Sequence, residues 1–128
     1  MPTLTETAPR AFASAIGKDA PEHVCDSPDN SMQTDDSAEG SIKLFGALDK
    51  QMLDTESNIY VQLCSDKQTL CYEAFPVYEQ ELLGGTDDGN GFSLLMSTQD
   101  IPKGSYSAVV FTDGKNAART QTLQTIKI

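Results

Sequence analysis

Asn58-Ile59-Tyr60-Val61-Gln62-Leu63-Cys64-Ser65 and Thr69-Leu70-Cys71-Tyr72-Glu73-Ala74-Phe75-Pro76-Val77-Tyr78 flank the polar turn Asp66-Lys67-Gln68. Both runs are rich in β-branched and aromatic residues, and Ile59, Val61 and Leu63 alternate onto one face, as in a half-buried strand. The segment therefore reads as a β-hairpin. Centring it between Lys67 and Gln68 sets Cys64 opposite Cys71 and Leu63 opposite Tyr72. Working outward, similar short runs occur at Ile42 to Leu48, Phe92 to Thr98, Ser105 to Thr112 and Arg119 to Ile128, and Gln51-Met52-Leu53 is the place for a seventh. Their spacing is that of an antiparallel β-sandwich. Ile42, Leu44, Leu48, Ile59, Val61, Leu63, Phe92, Leu94, Met96, Tyr106, Ala108 and Val110 form the expected core.

The breaks agree with this reading. Residues 84–91 combine four glycines with Asp and Asn and read as a surface loop, Ile101-Pro102-Lys103-Gly104 as a turn, and Asp113-Gly114-Lys115-Asn116 as a hairpin connection. No helix longer than about three turns fits between them, which excludes a parallel α/β fold.

The chain of 128 residues allows one ordinary domain. Eight of its 19 acidic residues but only two of its nine basic ones fall within residues 1–40. That third is also poor in large apolar residues. It is expected to be a disordered acidic N-terminal tail ahead of a sandwich over 41–128, save for a short helical stretch at Ala11 to Ile16. The start, Met1-Pro2-Thr3-Leu4-Thr5-Glu6, lacks the pattern of a signal peptide, and no run is long and apolar enough to span a membrane, so no direct membrane insertion is expected.

A net charge of −10 and a pI near 4.3 repel phosphate backbones, so nucleic-acid binding is not expected. One His and three scattered Cys lack zinc spacing, and Asp87-Asp88-Gly89-Asn90 and Asp113 to Asn116 lack the ligand count of a calcium loop; neither metal nor cofactor is implied. With the single His23 in the expected tail, no base stands beside a Ser or Cys nucleophile, and the carboxylates Glu73, Glu79 and Glu81 read as a solvated strand face. The chain is thus expected not to be an enzyme. Cys64 and Cys71 come within reach of a cross-strand disulfide in the expected register, with two reduced thiols as the alternative, while Cys25 reads as a free thiol. There is no Trp. Of Tyr60, Tyr72 and Tyr78, alternation turns some outward, and Tyr72 and Tyr78 are the candidate contacts to a glycan or an extended partner strand.

Gly40-Ser41-Ile42, Ile59-Tyr60-Val61-Gln62-Leu63, Tyr78-Glu79-Gln80-Glu81-Leu82, Gly91-Phe92-Ser93 and Ile101-Pro102-Lys103-Gly104-Ser105-Tyr106 together resemble the β-sandwich domains appended to bacterial membrane-bound glycosyltransferases and surface-glycan-modifying enzymes. Glu79 and Gln80 stand where that family carries Arg and Pro. The Gly-Phe and Pro-x-Gly-x-Tyr pieces are also similar to those of immunoglobulin-like (Ig-like) and fibronectin-type-III-like domains. The resemblance implies an Ig-like sandwich outside the cytoplasmic membrane, without catalytic residues of its own, contacting a partner protein or a surface glycan. The alternative is an acidic cytoplasmic adaptor or chaperone-like protein.

Overall fold

A computed structural model describes residues 12–54, 56–77 and 91–128. Eight strands form: β1 (Ala15–Ile16), β2 (Ser31–Asp35), β3 (Ser41–Ala47), β4 (Ile59–Cys64), β5 (Thr69–Val77), β6 (Gly91–Ser97), β7 (Ser105–Thr112) and β8 (Gln124–Lys127). All pair antiparallel, in the order β2-β3-β6-β5-β4-β7-β8, with β1 set against β5. Among the described residues there is no α-helix. The all-β expectation is met, and the sheet curls until its ends nearly meet. The Gln124 amide on β8 donates to the Met32 carbonyl on β2 at 2.9 Å.

The core follows from alternation. All twelve residues expected inside are buried, none more than 5% exposed, and Met52, Tyr72, Ile101 and Ile126 join them. Gln51-Met52-Leu53 is not a strand. Lys50–Met52 forms a single 3-10 turn, its N-terminus capped by the Asp49 carboxylate on the Gln51 N–H, and Met52 drops into the core.

The N-terminal third departs from the expected tail. Residues 1–11 lie outside the described residues, but β2 pairs residue for residue with β3, so the expected boundary at Gly40 falls in the turn of a hairpin, where Gly40 takes φ +83°. The physical reason is that an edge strand needs little apolar surface. Met32 alone turns inward, 3% exposed, while Ser31, Gln33, Thr34 and Asp35 face water. Cys25 is also buried. The Asn30 amide donates to the Cys25 carbonyl at 3.0 Å and accepts the Asp49 N–H at 2.7 Å.

β1 has a different cause. β5 changes partners along its length: Thr69–Ala74 pair with β4, and Phe75–Val77 pair with β6. The two strands fork upstream of that point, which strips β5 and β6 of ladder partners there. Residues 13–16 fill the fork. Ala13 N–H donates to the Leu95 carbonyl at 2.9 Å, and Ala15 and Ile16 pair with Tyr72 and Cys71. Ala11 to Ile16 is therefore no helix over its described part.

A polar shelf on the outer sheet face

The site begins with a turn. The Ser65 N–H donates to the Gln68 carbonyl at 2.9 Å, and the Ser65 hydroxyl accepts the Lys67 and Gln68 N–H groups, each at 3.2 Å. This closes a two-residue loop at Asp66-Lys67, one step earlier than the sequence suggested. Cys64 consequently pairs with Thr69, and Cys71 with Gln62. The expected Cys64–Cys71 opposition is corrected: the two thiols are diagonal neighbours, and both are free.

The same shift relocates Tyr72. It pairs with Val61 rather than Leu63; both of those residues face the core and cross-strand partners share a face, so Tyr72 points inward in either register, 4% exposed, and burial pushes its hydroxyl pKa up. Its expected role as an exposed contact is thereby corrected: the strap formed by residues 12–25 runs beside it, and Tyr72 lines a cleft of about 220 Å³ with Ala13, Ser14, Ala15, Ser97 and Asp100. Tyr78, Glu79, Glu81 and the loop over 84–90 lie outside the described residues. Among the described residues, the aromatic that this hairpin presents to solvent is Phe75, 62% exposed.

The strap divides the outer face of β5, β4, β7 and β8 into two halves. Under it the face is apolar: Tyr60 stacks on Phe111 with ring centroids 5.1 Å apart, Cys71 is buried beside them, and Ala20 packs over the group. Lys18 fastens the crossing, its ammonium 4.9 Å from the Tyr60 ring centre and 3.4 Å from the Asp113 carboxylate. The Tyr60 hydroxyl donates to Asp113 at 3.0 Å, and the Asn58 N–H does so at 2.8 Å. Burial raises the Tyr60 pKa, with the Asp113 carboxylate adding to it.

Beyond the strap the face is open and polar. Thr69, Cys64, Ser107 and Thr125 stand side by side across β5, β4, β7 and β8, and Ser105 pairs with Lys127 one step further on. The turns Ser65–Gln68 and Pro102–Gly104 rise on either side, enclosing an open cleft of about 740 Å³. Tyr106 ties these walls together from below. Its hydroxyl donates to the Pro102 carbonyl at 2.5 Å and accepts the Gln68 amide at 3.2 Å.

Lys67 and Lys103 border the cleft, Lys127 is exposed at its foot, and Asp66 is the one carboxylate in its lining. Among the described residues none of these lysines forms an ion pair. The shelf can thus accept and donate hydrogen bonds through hydroxyls and attract negative charge locally. A second cleft of about 240 Å³ contains His23 and Cys25 beside Gln51, Lys115 and Asn116. Among the described residues no group of His, Cys, Asp and Glu is placed to hold a metal ion, and no helix is long and apolar enough to cross a membrane.

Sequence reasoning missed the shelf because a serine or threonine on a strand carries no signal of what stands on neighbouring strands. The turns at Asp66-Lys67-Gln68 and Ile101-Pro102-Lys103-Gly104 were the visible signs of its walls. No family model, curated protein or solved structure matches the chain.

Proposed function

We propose that the chain is a non-catalytic Ig-like interaction module of a bacterial cell envelope, contacting a surface glycan or a partner protein through the open shelf. Support for the Ig-like reading comes from the strand order. Lettering β2 to β8 as A to G in chain order gives A-B-E-D-C-F-G, the neighbours of the constant-type sheets A-B-E-D and C-F-G, except that D pairs with C over six residues and with E over three. The Tyr106 hydroxyl bonded to a carbonyl four residues upstream, near the start of F, matches the tyrosine corner of such sandwiches. Since fold alone does not settle function, the observation that carries the interaction reading is the line Thr69–Cys64–Ser107–Thr125, a solvent-facing polar strip beside an apolar one that the chain covers for itself. The envelope assignment rests on the sequence resemblance.

The test is amide chemical-shift mapping of the intact chain with envelope polysaccharide fragments, together with photo-crosslinking from position 107 in bacterial cells. Shifts or crosslinks centred on Ser107, Thr125 and Lys103 are expected. Responses confined to the β2–β3 side, or none in either experiment, would overturn the reading. One observation favours the second reading, a cytoplasmic adaptor: all three cysteines are unbridged, as suits a reducing compartment. Cell fractionation separates the two.

A further inference from the structure

We infer that the shelf binds a sparsely anionic polysaccharide, one bearing a carboxylate on some of its sugars, with Lys67, Lys103 and Lys127 meeting the carboxylates and Ser105, Ser107 and Thr125 meeting the sugar hydroxyls. This inference rests on the interaction reading above and names the ligand class of the same site.

Three features select that class. The floor is made of small hydroxyl and thiol side chains, and the one aromatic in the cleft lining, Tyr106, is buried, so the aromatic stacking platform by which a neutral sugar is usually gripped is missing. Polar and ionic contacts must supply the affinity instead. The charge around the floor is positive, three exposed lysines against Asp66, on a chain whose net charge is −10. A densely charged polyanion such as a nucleic acid is repelled by the molecule as a whole, whereas a polymer with few charges meets less of that repulsion and can place each carboxylate beside a lysine, closer than the screening length.

Shape separates a glycan from an acidic peptide. The four strands span roughly 14 Å at the ordinary strand spacing, enough for a short run of sugar rings laid across them. On this face the backbone groups of β4 and β7 are already paired within the sheet, so an extended peptide would find no ladder to join there, while sugar hydroxyls match the exposed side-chain hydroxyls.

The experiment titrates the intact labelled chain with three probes: a hexamer alternating glucuronate with N-acetylglucosamine, a neutral chito-hexamer, and a glutamate-rich decapeptide. The glucuronate hexamer is expected to shift the amides of Cys64, Lys67, Lys103, Ser107 and Thr125 and to slow alkylation of Cys64, the thiol on the shelf floor. The double variant Lys67→Glu/Lys103→Glu is expected to bind about tenfold more weakly. Lys67→Arg/Lys103→Arg should retain binding, and so should Lys43→Glu, a charge change on β3. Raising salt from about 0.1 M to about 1 M, which shortens the screening length from about 10 Å to about 3 Å, should weaken it as well. Shelf binding by the neutral hexamer equal to that of the glucuronate hexamer, or by the peptide in preference to both, would overturn the inference and leave the interaction reading standing. Failure of the glucuronate hexamer to perturb the shelf overturns the inference whatever the other probes do; silence of the shelf to all three, with no crosslink from position 107, overturns both.

Discussion

Gly46→Ala tests whether the acidic N-terminal third is folded, and the sign of its effect carries the answer. In an isolated or edge-free β3, replacing a strand glycine whose φ is ordinary stabilises by roughly 0.5–1 kcal/mol through the unfolded chain. With β2 in place the outcome reverses. A Cβ on residue 46 would collide with the Ser31 carbonyl oxygen and lie 2.8 Å from Met32 Cα, both backbone atoms of the paired strand that cannot swing aside as a side-chain tip could. Overpacking of this kind costs about 1–3 kcal/mol, and pushing β2 off instead would expose Met32, a loss of about 1.5–3 kcal/mol. Set against the backbone gain, the net destabilisation is about 1–2 kcal/mol, a fall in Tm of roughly 3–10 °C for a domain of this size. Urea unfolding followed by circular dichroism reads it, with Gly17→Ala as the control, because nothing lies within 4 Å of a Cβ there. A midpoint for Gly46→Ala equal to or above that of the parent would refute the docking of β2.

Three further outcomes follow from single contacts. Tyr106→Phe keeps the buried ring but leaves the Pro102 carbonyl without its donor, so a loss of about 1–2 kcal/mol is expected in urea unfolding; a loss below about 0.5 kcal/mol would remove the hydroxyl from the account of the two turns. Without reductant, mass spectrometry should find no Cys64–Cys71 bridge, and alkylation should modify Cys64 first, because Cys25 and Cys71 are buried and burial holds the Cys71 thiol pKa up. Burial alone would raise the Asp113 carboxyl, but the Asn58 N–H, the Tyr60 hydroxyl and Lys18 together hold it below its ordinary value. Its contribution is therefore fully present above the unfolded Asp pKa of about 3.9 and is lost as pH falls through the lower folded value, so Asp113→Asn should flatten the acid limb of a stability–pH curve and leave its neutral part comparatively unchanged in slope.

What was legible in the sequence was whatever alternation encodes. The inward positions of β3, β4, β6 and β7 could be read residue by residue, because each strand carries apolar side chains at period two. β2 escaped for the opposite reason: its sequence, Ser31-Met32-Gln33-Thr34-Asp35, has a single apolar residue, and composition cannot distinguish a polar edge strand from a solvated coil. The hairpin register failed by a single step at Ser65. Its hydroxyl closes the loop around Asp66-Lys67, and that local bond moves Tyr72 opposite Val61 and separates the two thiols. The shelf was out of reach altogether. Thr69, Cys64, Ser107 and Thr125 are neighbours only through three successive strand pairings, each with its own register.

Pro76 links the fold to the site. It lies in β5 opposite Phe92, just past the point at which the strand leaves β4 for β6, and a residue with no N–H costs nothing where the ladder is already changing sides. The change of partners opens the fork above it, and the fork is what gives residues 13–16 a place to pair. From there the chain has to cross the outer face to reach β2 on the far side, passing over Tyr60, Cys71 and Phe111 with Lys18 and Ala20, then bonding His23 and Cys25 to Arg119. The crossing fixes which half of the face is covered. The apolar group of Tyr60, Cys71 and Phe111 lies beneath the cover while the uncovered half carries Thr, Ser and Cys, so the open shelf is the counterpart of the strap.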